Sequence, residues 1–181
     1  MELGVQRGWF SKAILNLAKP SKLYLVDLWK QQPGDVYSDS ANIPDDAQEQ
    51  YYASTLELLK SEISNGIVQV IRASTVEAMR NMPPDLVDYV YVDANHSYEA
   101  TLTDLTEALR IISLTGIIMG HDYCHGNIHG HRWGVIQAIA FFLRKHPSLQ
   151  LVCVTDDSPP TYLITAKRQA DKINSLIRTP P

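Results

Sequence analysis

The chain has few cysteines and no long apolar run. Its 181 residues include two cysteines, Cys124 and Cys153, which are too few for a disulfide framework and are expected to be reduced thiols. No apolar stretch approaches the roughly 20 residues that a membrane-spanning helix needs. Glu2 and a polar loop stand where a secretory signal would have its cationic and apolar regions, so no signal peptide is expected. We therefore expect a cytoplasmic protein without a membrane partner.

An excess of positive charge is missing as well. Lysine and arginine total 16 against 20 aspartates and glutamates, and the net charge of −4 argues against a general nucleic-acid-binding surface. Hydrophobic residues make up 45% and charged residues 20%, which is ordinary for a soluble globular protein. The length fits a single domain over residues 1–181. Its first strand would be Met1–Leu3, so short that either the chain begins inside this strand or the natural protein is longer.

Helical and strand patterns alternate along the chain, which is typical of an α/β sheet covered by helices. Strands are predicted over 23–26, 67–71, 87–92 and 117–119, and helices over 9–18, about 52–63, 74–82, 98–112 and 135–145. Residues 31–46 and 121–134 are predicted to be loops, because they are rich in turn-forming residues. The tail 166–181 is predicted to be a frayed helical end.

The last two strands restrict the topology. Residues 149–154 and 162–164 are joined by a link too short for a crossover helix, so these strands must be antiparallel. A mostly parallel sheet that ends in an antiparallel hairpin differs from the usual dinucleotide-binding layout.

A glycine-spaced loop follows the first strand. It reads ELGVQRG over residues 2–8, and Gly4 and Gly8 would let the backbone approach a ligand closely, although an ordinary strand-to-helix turn would look the same. The fingerprint G-x-G-x-x-G is absent because Gln6 stands at its second glycine, which argues against a pyrophosphate at the helix N-terminus. Glu2 instead offers a carboxylate to a cationic ligand.

Polar residues after the second and third strands extend this candidate site. Asp27 follows the loop by about 20 residues, where a carboxylate can accept hydrogen bonds from both hydroxyls of a ribose; a solvated strand-end aspartate is the alternative. Ser74 could reach an adenine edge or could cap the next helix. Because ligands of open α/β sheets bind at the carboxyl ends of the strands, these residues together predict a pocket for a ribose-bearing ligand.

Acidic side chains also follow the fourth and fifth strands. Asp93 and Asp122 would end adjacent strands, so their carboxylates are expected to converge. Two carboxylates in a crevice repel each other unless a cation or a proton lies between them. Nearby, His96 is either a candidate base or a helix-end histidine bonded to a carboxylate.

The other histidines and the aromatic residues near these strands have simpler interpretations. His125, His129 and His131 are expected to lie in a solvated loop. Tyr98 and the three tryptophans are expected in the core or the wall of a pocket, and Ser97 is expected to cap the helix that follows it.

Four segments of the chain form a recognisable combination. The segments ELGVQRGWFS (2–11) and LVDLW (25–29) are similar to motifs I and II of class I S-adenosylmethionine-dependent methyltransferases. The segments YVDANHSYE (91–99) and GIIMGHDY (116–123) are similar to the pattern D-x-x-H-x-Y-E … G-G-x-x-x-x-D-Y. From Glu2 to about Ile164 the chain therefore resembles the family that includes macrolide-sugar O-methyltransferases, the methyltransferase domain 24 type.

The resemblance implies a fold and a cofactor. The fold would be a Rossmann-like sandwich, with helices on both faces of a seven-stranded, mostly parallel sheet that ends in an antiparallel hairpin. S-adenosylmethionine would lie across the first two strands, with its methionine part near the glycine loop and its ribose at Asp27. The predicted cofactor-binding residues are Glu2, Gly4, Gln6, Gly8, Asp27, Ser74 and Asp93.

The resemblance also implies a base and a divalent cation. His96, three residues after the strand-four aspartate, would be the catalytic base, with Asp93 as a second catalytic residue. Asp93, His121 and Asp122 would hold the cation, which is usually magnesium in the macrolide-sugar members. The family usually has an acidic residue at the position of His121, and an imidazole suits a softer metal such as manganese, iron or zinc better than magnesium.

These expectations lead to O-methylation of a small molecule or sugar, with the segments 31–46 and 125–131 closing over the acceptor. Two other classes stay open. The short first strand and His121 favour a cofactor-binding or scaffold protein that kept the fold without turnover. A nicotinamide-dependent oxidoreductase is less favoured, because the middle glycine of its fingerprint is missing. The oligomeric state is open, with a homo-oligomer as one alternative.

Overall fold

A computed structural model describes residues 1–128 and 131–178 of the chain. Their strands are β1 (Glu2–Leu3), β2 (Leu23–Asp27), β3 (Val68–Arg72), β4 (Val87–Val92), β5 (Ile112–Gly120), β6 (His125–Ile128), β7 (His131–Gly134), β8 (Leu149–Val154) and β9 (Tyr162–Ala166). Their helices are α1 (Trp9–Ala18), α2 (Asp45–Leu58), α3 (Lys60–Ser64), α4 (Thr75–Arg80), α5 (Tyr98–Ile111), α6 (Val135–Lys145) and α7 (Lys167–Arg178). The main sheet has seven strands in the order β3-β2-β1-β4-β5-β9-β8, and β6 and β7 form a separate pair.

The chain divides into two compact units. The first comprises Met1–Ala78 with Asp93–Asn95, and the second comprises Met79–Val92 with the described part of His96–Pro181. That residues 1–181 form a single domain, as expected from the chain length, stays a prediction.

The first unit contains the parallel strands β1, β2 and β3. Glu2 is in register with Leu25, and Asp27 with Arg72. Leu23, Leu25 and Val26 are fully buried, as expected of a parallel strand that packs on both faces. This register places Asp27 at the carboxyl end of β2, the same edge that follows β1 into the glycine loop.

The second unit contains β4 and β5, which pair in parallel, and the antiparallel strands β9 and β8. Helix α5 buries Leu105, Ala108 and Ile111, and the Ser97 side chain accepts a hydrogen bond from the Ala100 amide at its N-terminus. The mostly parallel sheet and the antiparallel hairpin predicted from the sequence are therefore confirmed, and so is the Ser97 cap.

Three sequence predictions were wrong in detail. The predicted loop 121–134 contains the β6–β7 hairpin, whose polar strands carry no apolar alternation, and His129 lies outside the described residues. Strand β5 begins at Ile112 rather than 117, because Ile112 already pairs with Val87 of β4, before a register shift in the pairing of these two strands. Trp9 is 71% exposed, against the expectation of a core or pocket position, whereas Trp29 is buried.

No helix in the described part of the chain is both long enough and apolar enough to span a membrane.

Candidate active site

The glycine loop fits closely against the backbone that follows β4. Gly4 has a φ of +86°, and a Cβ there would lie 1.9 Å from the Asp93 carbonyl oxygen, so only glycine fits. Gly8 has a φ of +73° and would bring a Cβ within 3.0 Å of Thr55 Cγ2. Between them, Gln6 also adopts a left-handed conformation, with a φ of 52°. The backbone of the loop therefore has positive φ angles at all three positions, although Gln6 replaces the middle glycine.

Asp27 holds the glycine loop by its backbone. Its Oδ2 accepts hydrogen bonds from the amides of Val5 at 2.8 Å and Gln6 at 2.9 Å, and its Oδ1 accepts one from the Trp29 amide at 2.8 Å. An ionised carboxylate has about four lone-pair positions, so three of them are used by backbone amides. The two ribose hydroxyls that are predicted to donate to Asp27 would therefore compete with these backbone amides for its carboxylate oxygens.

Glu2 lies at the base of the loop and is 1% exposed. The Ser11 hydroxyl donates a hydrogen bond of 2.6 Å to its Oε2. The pKa of Glu2 is raised to about 8, mainly by burial; the negative charges of Asp93 and Asp27 add to this effect, and the Ser11 hydrogen bond and the N-terminal charge oppose it. A cationic ligand at this position would offset the mutual repulsion of the three carboxylates.

Ser74 and Asp93 are the remaining predicted cofactor residues. Ser74 Oγ accepts a hydrogen bond from the Glu77 amide at 3.2 Å, which is the helix-capping role that the sequence left open. The Asp93 amide donates to the Leu3 carbonyl at 2.8 Å. All seven predicted cofactor-binding residues thus belong to the first unit, and their roles stay predictions.

The second unit brings His96, His121 and Asp122 together. Asp122 Oδ2 lies 2.9 Å from His96 Nε2 and 3.3 Å from His121 Nδ1. Burial alone would raise the pKa of Asp122, but hydrogen bonds from His121 and His96 outweigh it and lower the pKa to about 2. Asp122 is therefore a carboxylate at neutral pH, and it can orient the His96 imidazole and stabilise its protonated form. Asp93 belongs to the first unit, so its part in a metal site stays a prediction.

Sequence reasoning missed two residues, one in each unit. Trp133 stacks on His96, with ring centroids 4.4 Å apart and planes at 6°, because β7 places it there. Asn95, in the first unit, donates from Nδ2 to the Val36 carbonyl at 3.2 Å and so contacts the segment 31–46. The stacking on His96 could not be read from the spacing, because the hairpin that carries Trp133 was not predicted.

The site can now be compared with known proteins. A sequence profile described as a methyltransferase domain matches residues 1–123, about two thirds of the chain. The chain belongs to this methyltransferase family. The resemblance to class I S-adenosylmethionine-dependent methyltransferases is thereby confirmed. A search of curated protein sequences gave no significant match.

Solved structures share the fold at low sequence identity. A protein from Streptococcus mutans, assigned as a methyltransferase and solved with SAH, has a TM-score of 0.59 at 16% identity over 91% of this chain and 86% of that one. A SAM-dependent methyltransferase from Aquifex aeolicus has a TM-score of 0.57 at 12% identity, covering 91% and 79%. The SAH-bound methyltransferase from Podospora anserina has a TM-score of 0.62 at 13% identity, covering 92% and 70%. These likenesses show a methyltransferase fold.

Proposed function

We propose that this protein transfers a methyl group from S-adenosylmethionine to a hydroxyl of a small molecule or sugar. The observation that carries the proposal is the glycine loop of a methyltransferase-family chain, closed against Asp93 at Gly4 and held by Asp27. Support for the cofactor comes from the SAH-bound structures of the same fold.

The residues of the first unit fit a cationic cofactor. S-adenosylmethionine carries a sulfonium and an ammonium group, and the charges of Asp27 and Asp93 both disfavour ionisation of the buried Glu2 carboxyl. A positive ligand would relieve this repulsion and favour the ionised form of Glu2. The adenosyl and methionine parts would then lie along the glycine loop.

The second unit supplies a candidate base. When bound, S-adenosylmethionine would supply an activated methyl group for transfer to the acceptor hydroxyl, with SAH as the co-product. The chain must align the acceptor and remove its proton. His96 would take that proton, and the Asp122 carboxylate, 2.9 Å from its Nε2, would stabilise the resulting imidazolium.

A divalent cation is part of the proposal. Asp122 and His121 would hold it, together with Asp93 as the family resemblance implies, and it would lower the pKa of the acceptor hydroxyl. A donor set that includes an imidazole fits manganese, iron or zinc better than magnesium.

Binding of SAH tests the cofactor assignment. We expect isothermal titration to show SAH binding to the intact chain and a loss of at least tenfold in affinity for Asp27→Ala, because the loop amides of Val5 and Gln6 lose their acceptor. Val68→Ala is the matched control, since Val68 pairs with Leu23 at the other end of β2 and should keep the affinity.

Two results would contradict this assignment. Folded protein that binds neither SAH nor S-adenosylmethionine would exclude the proposed enzyme. Binding of NADH in a fluorescence titration, without SAH binding, would instead support the oxidoreductase alternative.

Turnover tests the role of His96. With a labelled methyl donor and a panel of hydroxylated small molecules and sugars, we expect His96→Gln to lower the transfer rate by a factor of about 10² to 10⁴, as loss of a general base does. SAH affinity measured in parallel shows whether the variant is intact. Chelation of divalent ions before the assay decides whether a metal takes part, since unchanged turnover would leave His96 acting without one.

The rival is a scaffold protein that binds the cofactor without turnover. His121 favours it, because the family usually has an acidic residue there. SAH binding with no methyl transfer to any acceptor of the panel would support this second candidate over the first.

A further inference from the structure

Both the backbone amide and the backbone carbonyl of Gln6 form hydrogen bonds with residues at the end of β2 and just after it. Its amide donates to Asp27 Oδ2 at 2.9 Å, and its carbonyl accepts a hydrogen bond from the indole Nε1 of Trp29 at 2.8 Å. Asp27 and Trp29 are two residues apart and are linked themselves, because the Trp29 amide donates to Asp27 Oδ1. One three-residue stretch therefore holds the middle of the glycine loop.

These hydrogen bonds hold Gln6 in a backbone conformation that is disfavoured for residues with a Cβ. Gln6 has a φ of 52°, in the left-handed region that residues with a Cβ rarely adopt. The dinucleotide-binding fingerprint has glycine at this position, for which the same conformation costs nothing. Without an external constraint Gln6 would leave this conformation, and the loop amides and carbonyls would point elsewhere.

A second donor near the Gln6 carbonyl cannot replace Trp29. Thr55 Oγ1 lies 3.3 Å from this carbonyl but 2.8 Å from the Tyr51 carbonyl of its own helix. A hydroxyl has a single proton to donate, and the shorter contact takes it. The indole N–H is therefore the main hydrogen-bond donor to the Gln6 carbonyl.

The Trp29 side chain is itself fixed in place. It is 1% exposed and packs on Tyr52 with ring centroids 5.0 Å apart, while the Arg72 guanidinium donates to the Trp29 carbonyl at 2.9 Å. A rigid indole can hold a strained loop, whereas a mobile one could not.

We infer that Trp29 is a positioning residue that keeps the glycine loop in the conformation needed to bind the cofactor. The inference rests on the proposed function for its effect on SAH, but its effect on the loop can be measured without any ligand. Trp29 touches the loop backbone, and it acts on the cofactor only through Gln6.

The test compares Trp29→Phe with the intact chain. Phenylalanine keeps an aromatic ring against Tyr52 and loses the N–H donor. We expect hydrogen exchange of the Val5 and Gln6 amides in the ligand-free protein to become about three to ten times faster, and SAH affinity to fall by a similar factor, as for the loss of one hydrogen bond. Thr55→Val, which keeps the shape of the side chain and removes the hydroxyl, should change both quantities by less than twofold.

The outcomes separate this inference from the proposed function. If the intact chain does not bind SAH, the proposed function fails, and amide exchange still decides the role of Trp29. Unchanged exchange of Val5 and Gln6 in Trp29→Phe would overturn the inference, as would an equal change in the control Thr55→Val. If Trp29→Phe does not fold, site-specific replacement of the Trp29 indole by benzothiophene keeps its shape without the N–H, and the same exchange rates are expected to rise.

Discussion

At the scale of single residues, the candidate site shows how surroundings decide the charge of chemically similar groups. Burial raises the pKa of Glu2 to about 8, whereas hydrogen bonds from His121 and His96 outweigh burial and lower the pKa of Asp122 to about 2. At neutral pH the ligand-free protein therefore has a Glu2 that retains much of its proton and a fully ionised Asp122. The two carboxyl groups therefore differ in charge at neutral pH because their hydrogen-bond partners and burial differ.

The raised pKa of Glu2 makes stability depend on pH. The unfolded chain releases this proton near pH 4.5, and the folded chain releases it near pH 8, so the free energy of unfolding falls as pH rises between these values. We expect Glu2→Gln, which cannot ionise, to gain stability relative to the intact chain from pH 5 to pH 8, on the order of a few kcal/mol. Urea unfolding at a series of pH values measures this difference.

A matched variant controls for the change in net charge. Glu57→Gln removes a negative charge from an exposed position of α2, where its side chain is 76% exposed. It should leave the pH dependence of unfolding as it is in the intact chain. A Glu2→Gln curve parallel to that of the intact chain would show that Glu2 is ionised in the folded protein across this range.

The residues that could be predicted from the sequence are those whose backbone position decides their role. Gly4 and Asp27 follow strands with clear apolar runs, and Gly4 is required by a contact of 1.9 Å that any Cβ would make. The hydrogen bonds that Asp27 accepts from Val5 and Gln6 could not be predicted, because they depend on the left-handed path of Gln6. Spacing places a carboxylate at a strand end, but it does not say which donors reach it.

At the scale of elements, the β6–β7 hairpin shapes the surroundings of His96. The Gly134 amide donates to the His96 carbonyl at 2.8 Å, and the preceding residue, Trp133, stacks on the imidazole. Apolar periodicity could not predict this hairpin, because its strands HGNI and HRWG have no apolar alternation and are defined by mutual pairing. Strands with continuous apolar runs, such as β2 and β4, were predicted to within a residue.

Gly134 allows the hairpin to approach α5 closely. A Cβ at Gly134 would lie 2.6 Å from the Tyr98 amide nitrogen and 2.8 Å from its Cα, and backbone atoms cannot move aside as a flexible side chain can. We expect Gly134→Ala to lower the free energy of unfolding by about 1–3 kcal/mol, as overpacking does. Urea unfolding followed by tryptophan fluorescence measures the change.

Gly34→Ala is the matched control for this substitution. No described atom lies within 4 Å of a Cβ at Gly34, so the same chemical change should be neutral or slightly stabilising. A loss of stability in Gly34→Ala equal to that in Gly134→Ala would mean that the close approach to Tyr98 has no special cost.

At the scale of the whole molecule, the residues predicted to bind the cofactor and to catalyse the reaction are divided between the two units. The residues predicted to bind the cofactor lie in the first unit, and His96, His121 and Asp122 lie in the second. The strand order β3-β2-β1-β4-β5-β9-β8 has the antiparallel strands at one end. Sequence alone predicted the parallel strands and the antiparallel end, since both follow from linker length, but not the division into units, which depends on contacts between distant segments.

A ligand that binds only the folded chain should stabilise the molecule by mass action. At SAH concentrations about 100 times its dissociation constant, we expect the free energy of unfolding to rise by about 2.7 kcal/mol. At the same SAH concentration the increase should fall to about 1.4 kcal/mol or less in Asp27→Ala, whose affinity is at least tenfold lower, and be retained in Val68→Ala, because only the first substitution changes the glycine loop. Differential scanning calorimetry with increasing SAH measures the shift, and a transition that stays at one temperature while calorimetric titration shows binding would mean that SAH binds the unfolded chain equally well.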